Sequence, residues 1–140
     1  MIINIYTDGA SRSNPGNSAS GYRIFDEDGN LLANNSVYNG IKTNNEAEYL
    51  AIIMALQAAE REFGHGITLS VYSDSQLVVS QLRGSYRVKS RELKKLHEEA
   101  LTILKKFNSY SITSVPRETP RIAEVDAELN LLLDRHEKGI

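Results

Sequence analysis

The chain has 140 residues, 41% hydrophobic and 24% charged, which suits one domain over residues 1–140 with a sizeable core. No apolar run approaches the roughly 18 residues of a membrane span, and the first residues lack the basic segment and cleavage site of a signal peptide, so we expect neither. The net charge of −2 argues against nucleic-acid binding through overall charge, while the absence of cysteine excludes disulfides and zinc–thiolate sites and is typical of a reducing, cytoplasmic setting.

The first third of the chain has the pattern of strands joined by turns. The segment MIINIYT (1–7) is short, apolar and rich in β-branched residues, which predicts a strand. The segment SNPGN (13–17) predicts a turn, and residues 18–40 predict a hairpin around Asp28 and Gly29.

A long helix and a further strand come next. Residues 44–63 consist of good helix formers and predict a helix with Asn44 or Asn45 as its cap. The segment ITLSVYS (67–73) again has the composition of a strand.

The rest of the chain is mostly helical. Residues 74–84 predict a short helix that Gly84 ends, and residues 90–107 carry leucines at helical spacing, which predicts an amphipathic helix. A strand at 110–116 and a last helix at 123–139 complete the chain.

The predicted order of elements is β-β-β-α-β-α-α-β-α. Strands from hairpins followed by alternating strands and helices indicate an α/β fold, in which an antiparallel meander joins a parallel part and helices flank the mixed sheet. In such sheets, ligands tend to bind beyond the carboxyl ends of the strands.

Two aspartates follow predicted strands. Asp8 comes directly after the first strand, and Asp74 comes directly after ITLSVYS. Burial of an unpaired carboxylate is unfavourable, so its placement there needs a reason. Asp8 could serve only as an Asx-turn residue and Asp74 only as a helix cap, and both alternatives stay open.

The long helix offers two glutamates that point in different directions. Glu48 shares the apolar face with Ile52 and Leu56, so we expect it to lean toward the sheet. Glu46 lies on a more polar face and suits a first-turn acid beside the helix dipole.

The last helix adds Asp126, which could be an ordinary solvated first-turn acid. Together with Asp8, Glu48 and Asp74 it makes a set of acids with no obvious cationic partner. Oxygen ligands of this kind suit Mg²⁺, and two such ions can activate a water and stabilise the leaving oxygen of a phosphodiester. A metal site would offset the desolvation of Asp8.

Four motifs occur in order along nearly the whole chain: YTDGA…NPG, KTNNEAEYLAIIMAL, YSDSQLVVSQLRGSYRVKS, and VPRE before a helical acid. Together they closely resemble type 1 ribonuclease H. The resemblance implies a five-stranded mixed sheet and hydrolysis of the RNA strand of RNA–DNA hybrids with little sequence specificity. It also implies two Mg²⁺ ions per site, with Mn²⁺ as a substitute, and 5′-phosphate and 3′-hydroxyl ends.

The resemblance assigns roles to five acids. Asp8 is similar to the acid that bridges both ions, Glu48 to the acid near the scissile phosphate and the 2′-hydroxyl, and Asp74 to the ligand on the nucleophile side. Asp126 is similar to the fourth acid, and Glu118 to a mobile residue that helps metal exchange or product release.

The segment before the last helix departs from the family pattern. TPRIAEV intervenes after Glu118, and Ile122 stands near the position where the family has an Asn. Glu124 is therefore the alternative to Asp126 as the fourth acid.

By the same resemblance, the residues expected to bind the hybrid are Gly9, Asn14, Thr43, Asn44, Asn45 and Gln76, and the basic residues Arg83, Arg87 and Lys89 are expected to bind it as well. Asn and Gln can both donate to and accept from 2′-hydroxyls and base edges, while Asn14 and Thr43 resemble part of a pocket for a DNA-strand phosphate. The alternative is that Asn14 and Asn44 act only as turn and cap residues.

Half of the basic residues fall in one stretch. Of the sixteen Lys and Arg, eight lie within 83–106: Arg83, Arg87, Lys89, Arg91, Lys94, Lys95, Lys105 and Lys106. The basic protrusion of many family members is expected to be absent, so affinity for the hybrid would rest on Arg83, Arg87, Lys89, Arg91 and Lys94. The alternative is that these residues form only a solvated face. A binding module with weak or no catalysis is the competing hypothesis, and we expect a monomer.

Overall fold

The chain forms five strands and four helices in a computed structural model that describes residues 1–139. Ile140, the last residue of the predicted domain, lies outside the described residues. In chain order the elements are β1 (Ile2–Ser11), β2 (Gly16–Phe25), β3 (Leu31–Lys42), α1 (Asn44–Phe63), β4 (Thr68–Ser73), α2 (Gln76–Leu82), α3 (Arg91–Leu104), β5 (Ser109–Ser114) and α4 (Pro120–Glu137). This is the predicted order of elements.

The strands make one mixed sheet in the order β3-β2-β1-β4-β5. The parallel pairing of β1 with β4 ends where Thr7 lies opposite Ser73, whereas the antiparallel pairing of β1 with β2 continues to Ser11. Asp8 therefore lies inside β1, and the prediction that it follows the strand was wrong. The strand is longer than its apolar run because β2 still supplies hydrogen-bonding partners beyond Thr7.

Helices cover both faces of the sheet. Ile3 and Ile5 of β1 belong to the larger core, which α1 and α3 complete with residues such as Leu56. Ala10 packs against the smaller cluster that includes Leu129 of α4. Since side chains alternate along a strand, Asp8 points to the face that α4 covers. The far end of β1 thus lies between α1 on one face and α4 on the other.

Two helix caps differ from the sequence prediction. The N-cap of α1 is Thr43 rather than Asn44 or Asn45: its hydroxyl accepts from the Glu46 amide at 3.2 Å, and Glu46 Oε1 accepts from the Thr43 amide at 3.0 Å. This reciprocal capping box uses Glu46 as a partner of the cap, which favours Thr43. The N-cap of α2 is Ser75 rather than Asp74.

The last helix begins earlier than predicted. It starts at Pro120 rather than at 123, because proline at the first helical position loses no hydrogen bond. Asp126 consequently lies in the second turn, not the first, and Ile122 is fully buried. Among the helices within residues 1–139, none has the length and apolar character needed to cross a membrane.

The Thr43 cap can be tested by stability alone. Thr43→Ala is expected to lower the free energy of unfolding by about 1 kcal/mol, because the Glu46 amide loses its acceptor. Asn45→Ala is the matched control and should change stability by less than about 0.5 kcal/mol, as a surface substitution with no capping bond. Urea denaturation measures both, and equal losses would contradict the assignment of the cap.

Candidate active site

Four carboxylates meet beyond the parallel pairing of β1 and β4. Asp8 comes from β1, Asp74 follows β4 directly, Glu48 comes from α1 and Asp126 from α4, and all four line one cleft of about 490 Å³. Carboxylate oxygens of Asp8, Glu48 and Asp74 lie within 4.8 Å of one another. The structure thus brings these three carboxylates together.

The position of Glu48 depends on a close approach of α1 to β1. A Cβ atom on Gly9 would lie 2.3 Å from the carbonyl carbon of Ala47, so only glycine permits this packing. The Gly9 amide donates to Asp8 Oδ1 at 3.0 Å and also to Glu48 Oε1. Ser20 Oγ of β2 donates to the Ala47 carbonyl at 2.6 Å and ties the same turn of α1 to the sheet.

The cluster holds its negative charges in an unfavourable environment. Asp8 is 3% exposed and Glu48 is 8% exposed. Burial, followed by the charges of Asp74 and Asp126, raises the pKa of Asp8 to about 8. Burial and the charges of Asp8 and Asp74 also raise the pKa of Glu48 well above its usual value. Within residues 1–139, no Lys, Arg or His forms an ion pair with Asp8, Glu48 or Asp74.

These residues fit a hard divalent cation. The donor set consists of carboxylate oxygens alone. Mg²⁺ and Mn²⁺ prefer such oxygen ligands, whereas soft metals prefer thiolate or thioether ligands. A bound cation would also offset the burial and the like-charge repulsion that together raise the pKa of Asp8. The buried acids thus have the composition of a metal site.

The two candidates for the fourth acid lie in different places. Asp126 lines the cleft, and its charge acts on Asp8. Glu124 lies two residues earlier, roughly 160° around the helix, and its carboxylate accepts from Arg23 Nη1 at 2.6 Å. The geometry therefore brings Asp126, and not Glu124, to the other three acids.

The segment between β5 and α4 contributes a different residue to the cleft from the one that the resemblance indicated. Glu118 is exposed and is not part of the cleft lining, whereas the neighbouring Arg117 is. Five other cleft residues were missed by the sequence analysis: Ala10, Ser11, Arg12, Ser75 and Asn130. Asn130 could have been found, because it stands four residues after Asp126 and so shares its helix face.

The asparagines at the N-terminus of α1 have structural contacts. Asn44 and Asn45 line the cleft. Asn14 Oδ1 accepts from the Asn44 amide at 3.0 Å, and Asn44 Oδ1 accepts from the Ser11 amide at 3.0 Å. These contacts use the side-chain oxygens to join β1 and the β1–β2 turn to α1. They agree with a turn role for Asn14, whereas the cap of α1 is Thr43 and not Asn44.

The basic candidates are divided between two further clefts. Residues 83–90 alone separate α2 from α3, and no helix or strand occurs within them. Arg87 and Lys89 line a cleft of about 560 Å³ with Tyr86 and Leu93, while Arg83 lines a separate one beside β5. Gln76 is exposed at the start of α2.

Comparisons with known proteins find relatives along almost the whole chain. A family model described as reverse transcriptase-like matches residues 6–129. Ribonuclease HI of Halobacterium salinarum strain NRC-1 is 41% identical over 132 residues, which cover 94% of this chain and 64% of that protein. A protein of Mycobacterium tuberculosis strain H37Rv described as bifunctional is 36% identical over 119 residues, or 84% of this chain and 32% of its own length. The chain thus spans less than two thirds of the length of these curated relatives.

Solved structures show the same architecture. The crystal structure of RNase H1 from Halobacterium salinarum NRC-1 matches with a TM-score of 0.88 and 40% identity, covering 96% of this chain and 98% of that one. LC11-RNase H1, solved in complex with an RNA/DNA hybrid, matches with a TM-score of 0.88 and 37% identity over 96% of this chain and 98% of its own. These likenesses confirm the predicted α/β fold with a five-stranded mixed sheet.

Proposed function

The chain belongs to the type 1 ribonuclease H family, and on that premise we propose that it is an endonuclease that hydrolyses the RNA strand of RNA–DNA hybrids. The observation that carries the proposal is the convergence of Asp8, Glu48 and Asp74, with oxygens within 4.8 Å of one another and no ion pair to a cationic side chain among residues 1–139. The relative solved with an RNA/DNA hybrid supports the substrate class. We expect 5′-phosphate and 3′-hydroxyl ends, and an enzyme that acts as a monomer in the cytoplasm.

Two Mg²⁺ ions, or Mn²⁺ in their place, would supply activation of the attacking water and stabilisation of the leaving oxygen. Asp8 suits the role of a ligand shared by both ions, because Glu48, Asp74 and Asp126 all lie close enough to influence its pKa. Glu48 is held by the Gly9 amide, which fixes one of its oxygens and leaves the carboxylate facing the cleft. Asp74, which follows β4, and Asp126, in the second turn of α4, complete the ligand set.

Selection of the RNA strand follows from polar groups beside the acids. Asn44 and Asn45 line the same cleft, and their amides can donate to and accept from 2′-hydroxyls in a minor groove. Arg87 and Lys89 lie on the surface of the 83–90 segment, where phosphates of the DNA strand would bind them without reading sequence.

The proposal is tested by cleavage of a labelled RNA–DNA hybrid beside duplex DNA and duplex RNA of the same sequence. In Mg²⁺ the hybrid alone is expected to be cut, in its RNA strand, and EDTA should abolish the reaction. A second hybrid with a single 2′-deoxy substitution in the RNA strand should resist cleavage at that position. A chain that binds the hybrid in Mg²⁺ without cutting it would favour the binding-module hypothesis instead.

The fourth acid is tested by a matched pair of substitutions on α4. Asp126→Asn is expected to lower kcat on the hybrid by roughly 10²-fold, equivalent to about 3 kcal/mol, because a metal ligand loses its charge. Glu124→Gln should leave kcat within about twofold, since that side chain is engaged with Arg23 on the surface. Steady-state cleavage measures both, and the opposite ranking would transfer the role to Glu124.

A further inference from the structure

A chain of hydrogen bonds lies behind Asp126. Asn130 stands one helical turn further along α4, and its Nδ2 donates to the Asp126 carbonyl at 3.1 Å and to Asp126 Oδ2 at 3.3 Å. Arg12 Nη2 donates to Asn130 Oδ1 at 3.2 Å and to the Asn130 carbonyl at 3.0 Å. One amide thus connects a guanidinium to the fourth acid of the cleft.

Arg12 is itself held in place from two sides. It belongs to the turn between β1 and β2, where its amide donates to the Asn17 carbonyl at 2.8 Å. Its guanidinium reaches the same face of α4 and pairs with Asp134 at 2.9 Å and with Glu137 at 3.1 Å. Several contacts along the fork fix both its position and its plane, which a single contact would not do.

The guanidinium determines which way the Asn130 amide faces. Arginine has donors only, so it must meet the amide oxygen, and the amide NH₂ group then points at Asp126. The reverse orientation would set NH₂ against the guanidinium and oxygen against the carboxylate. Arg12 therefore secures a donor for Asp126.

Asp126 needs such a donor. Its carboxylate lines the same cleft as Asp8, Glu48 and Asp74, and the Asn130 side chain donates to its Oδ2. The Asn130 amide satisfies Oδ2 and leaves the other oxygen to face the remaining acids. We propose that Arg12 and Asn130 are positioning residues that hold the Asp126 carboxylate in place for binding of a divalent cation. The proposal rests on the function proposed above and goes beyond it by assigning the support of the fourth acid.

The test compares four variants with the wild-type chain. Asn130→Ala and Arg12→Met remove the donor and its support, and Arg12→Lys restores a single donor. Arg23→Met is the matched control: Arg23 also joins α4 to the sheet, through Glu124 and Glu128, but contacts neither Asp126 nor Asn130. Each variant is assayed for kcat and KM on the hybrid, for thermal unfolding, and by calorimetric titration of Mn²⁺ into the protein without nucleic acid.

Asn130→Ala is expected to lower kcat by about 10- to 100-fold and to weaken Mn²⁺ binding in proportion, while KM stays within about twofold. Arg12→Met should lower kcat and Mn²⁺ affinity in the same way, and Arg12→Lys should give values between those of Arg12→Met and the wild type. Arg23→Met should lower thermal stability and leave both kcat and Mn²⁺ affinity unchanged. Unchanged Mn²⁺ binding and kcat in Asn130→Ala would overturn the proposal. A raised KM at constant kcat would also overturn it, because Arg12 and Asn130 would then contact the substrate. A wild-type chain that leaves the hybrid intact would refute the proposed function, and the Mn²⁺ titration would still decide the positioning role.

Discussion

Asp8→Asn is expected to abolish cleavage of the hybrid and, at the same time, to stabilise the metal-free protein. Cleavage should fall by roughly 10³-fold or more, since metal ions in such sites supply several kcal/mol of transition-state stabilisation and Asp8 adjoins all three other acids. Stability should rise because asparagine keeps the acceptor for the Gly9 amide while removing a buried negative charge.

The gain in stability depends on pH with a definite sign. In the unfolded chain Asp8 has its ordinary pKa of 3.8, whereas in the folded protein the pKa is about 8. Between these values the folded state binds more protons than the unfolded state, so wild-type stability falls as pH rises from about 4 to about 8. Asp8→Asn lacks this contribution. In EDTA, the free energy of unfolding of Asp8→Asn should exceed that of the wild type only slightly near pH 4, and by roughly 1–3 kcal/mol near pH 8.

Thermal unfolding in EDTA at several pH values measures this difference, and a second series in Mg²⁺ should narrow it, because ions bind the folded wild-type site. Asp26→Asn is the control: hydrogen bonds from Asn30 lower the pKa of Asp26, so its loss should reduce stability above pH 4 and leave cleavage intact. A variant that melts below the wild type in EDTA at pH 8 would mean that Asp8 has stabilising partners in the metal-free state.

The general plan of the molecule follows from local patterns. Residues close together in the sequence determine the strand and helix segments and the hairpin around Asp28 and Gly29. The same is true of the apolar helix face that carries Glu48. Adjacent parallel strands then bring Asp8 and Asp74 to the same edge of the sheet, so their proximity could be inferred before the structure was known. The roles of these residues in catalysis stay predictions.

The features that the sequence analysis missed depend on partners distant in the chain. Asp8 lies within β1 because β2 continues to pair with it, and its own segment carries no sign of that length. The Arg12 contacts with α4 join residues more than a hundred positions apart, and no periodicity reveals them. The caps were missed for a different reason: Thr, Asn, Asp and Ser all suit a cap, and only the reciprocal bond with Glu46 selects Thr43.

Gly9→Ala is expected to destabilise the fold by roughly 3 kcal/mol or more and to abolish cleavage. The added Cβ would lie 2.3 Å from the Ala47 carbonyl carbon and 2.4 Å from the Glu48 amide nitrogen, and these are backbone atoms of a helix that cannot yield by a change of rotamer. The first turns of α1 must move away from β1, and Glu48 moves with them. Urea denaturation and cleavage of the hybrid measure the two effects.

Gly66→Ala is the matched control, because apart from Gly66 and its two chain neighbours no residue has a heavy atom within 4 Å of the added Cβ, and we expect a change of less than about 0.5 kcal/mol. The resemblance assigned Gly9 to substrate binding, and that role alone would leave the fold intact and raise KM. The double variant Gly9→Ala, Ala47→Gly separates the possibilities further. Removing the Ala47 methyl group should not restore stability, because the obstruction is the backbone of α1. Restoration would mean that side-chain packing, rather than the approach of helix to strand, makes glycine necessary beside Asp8.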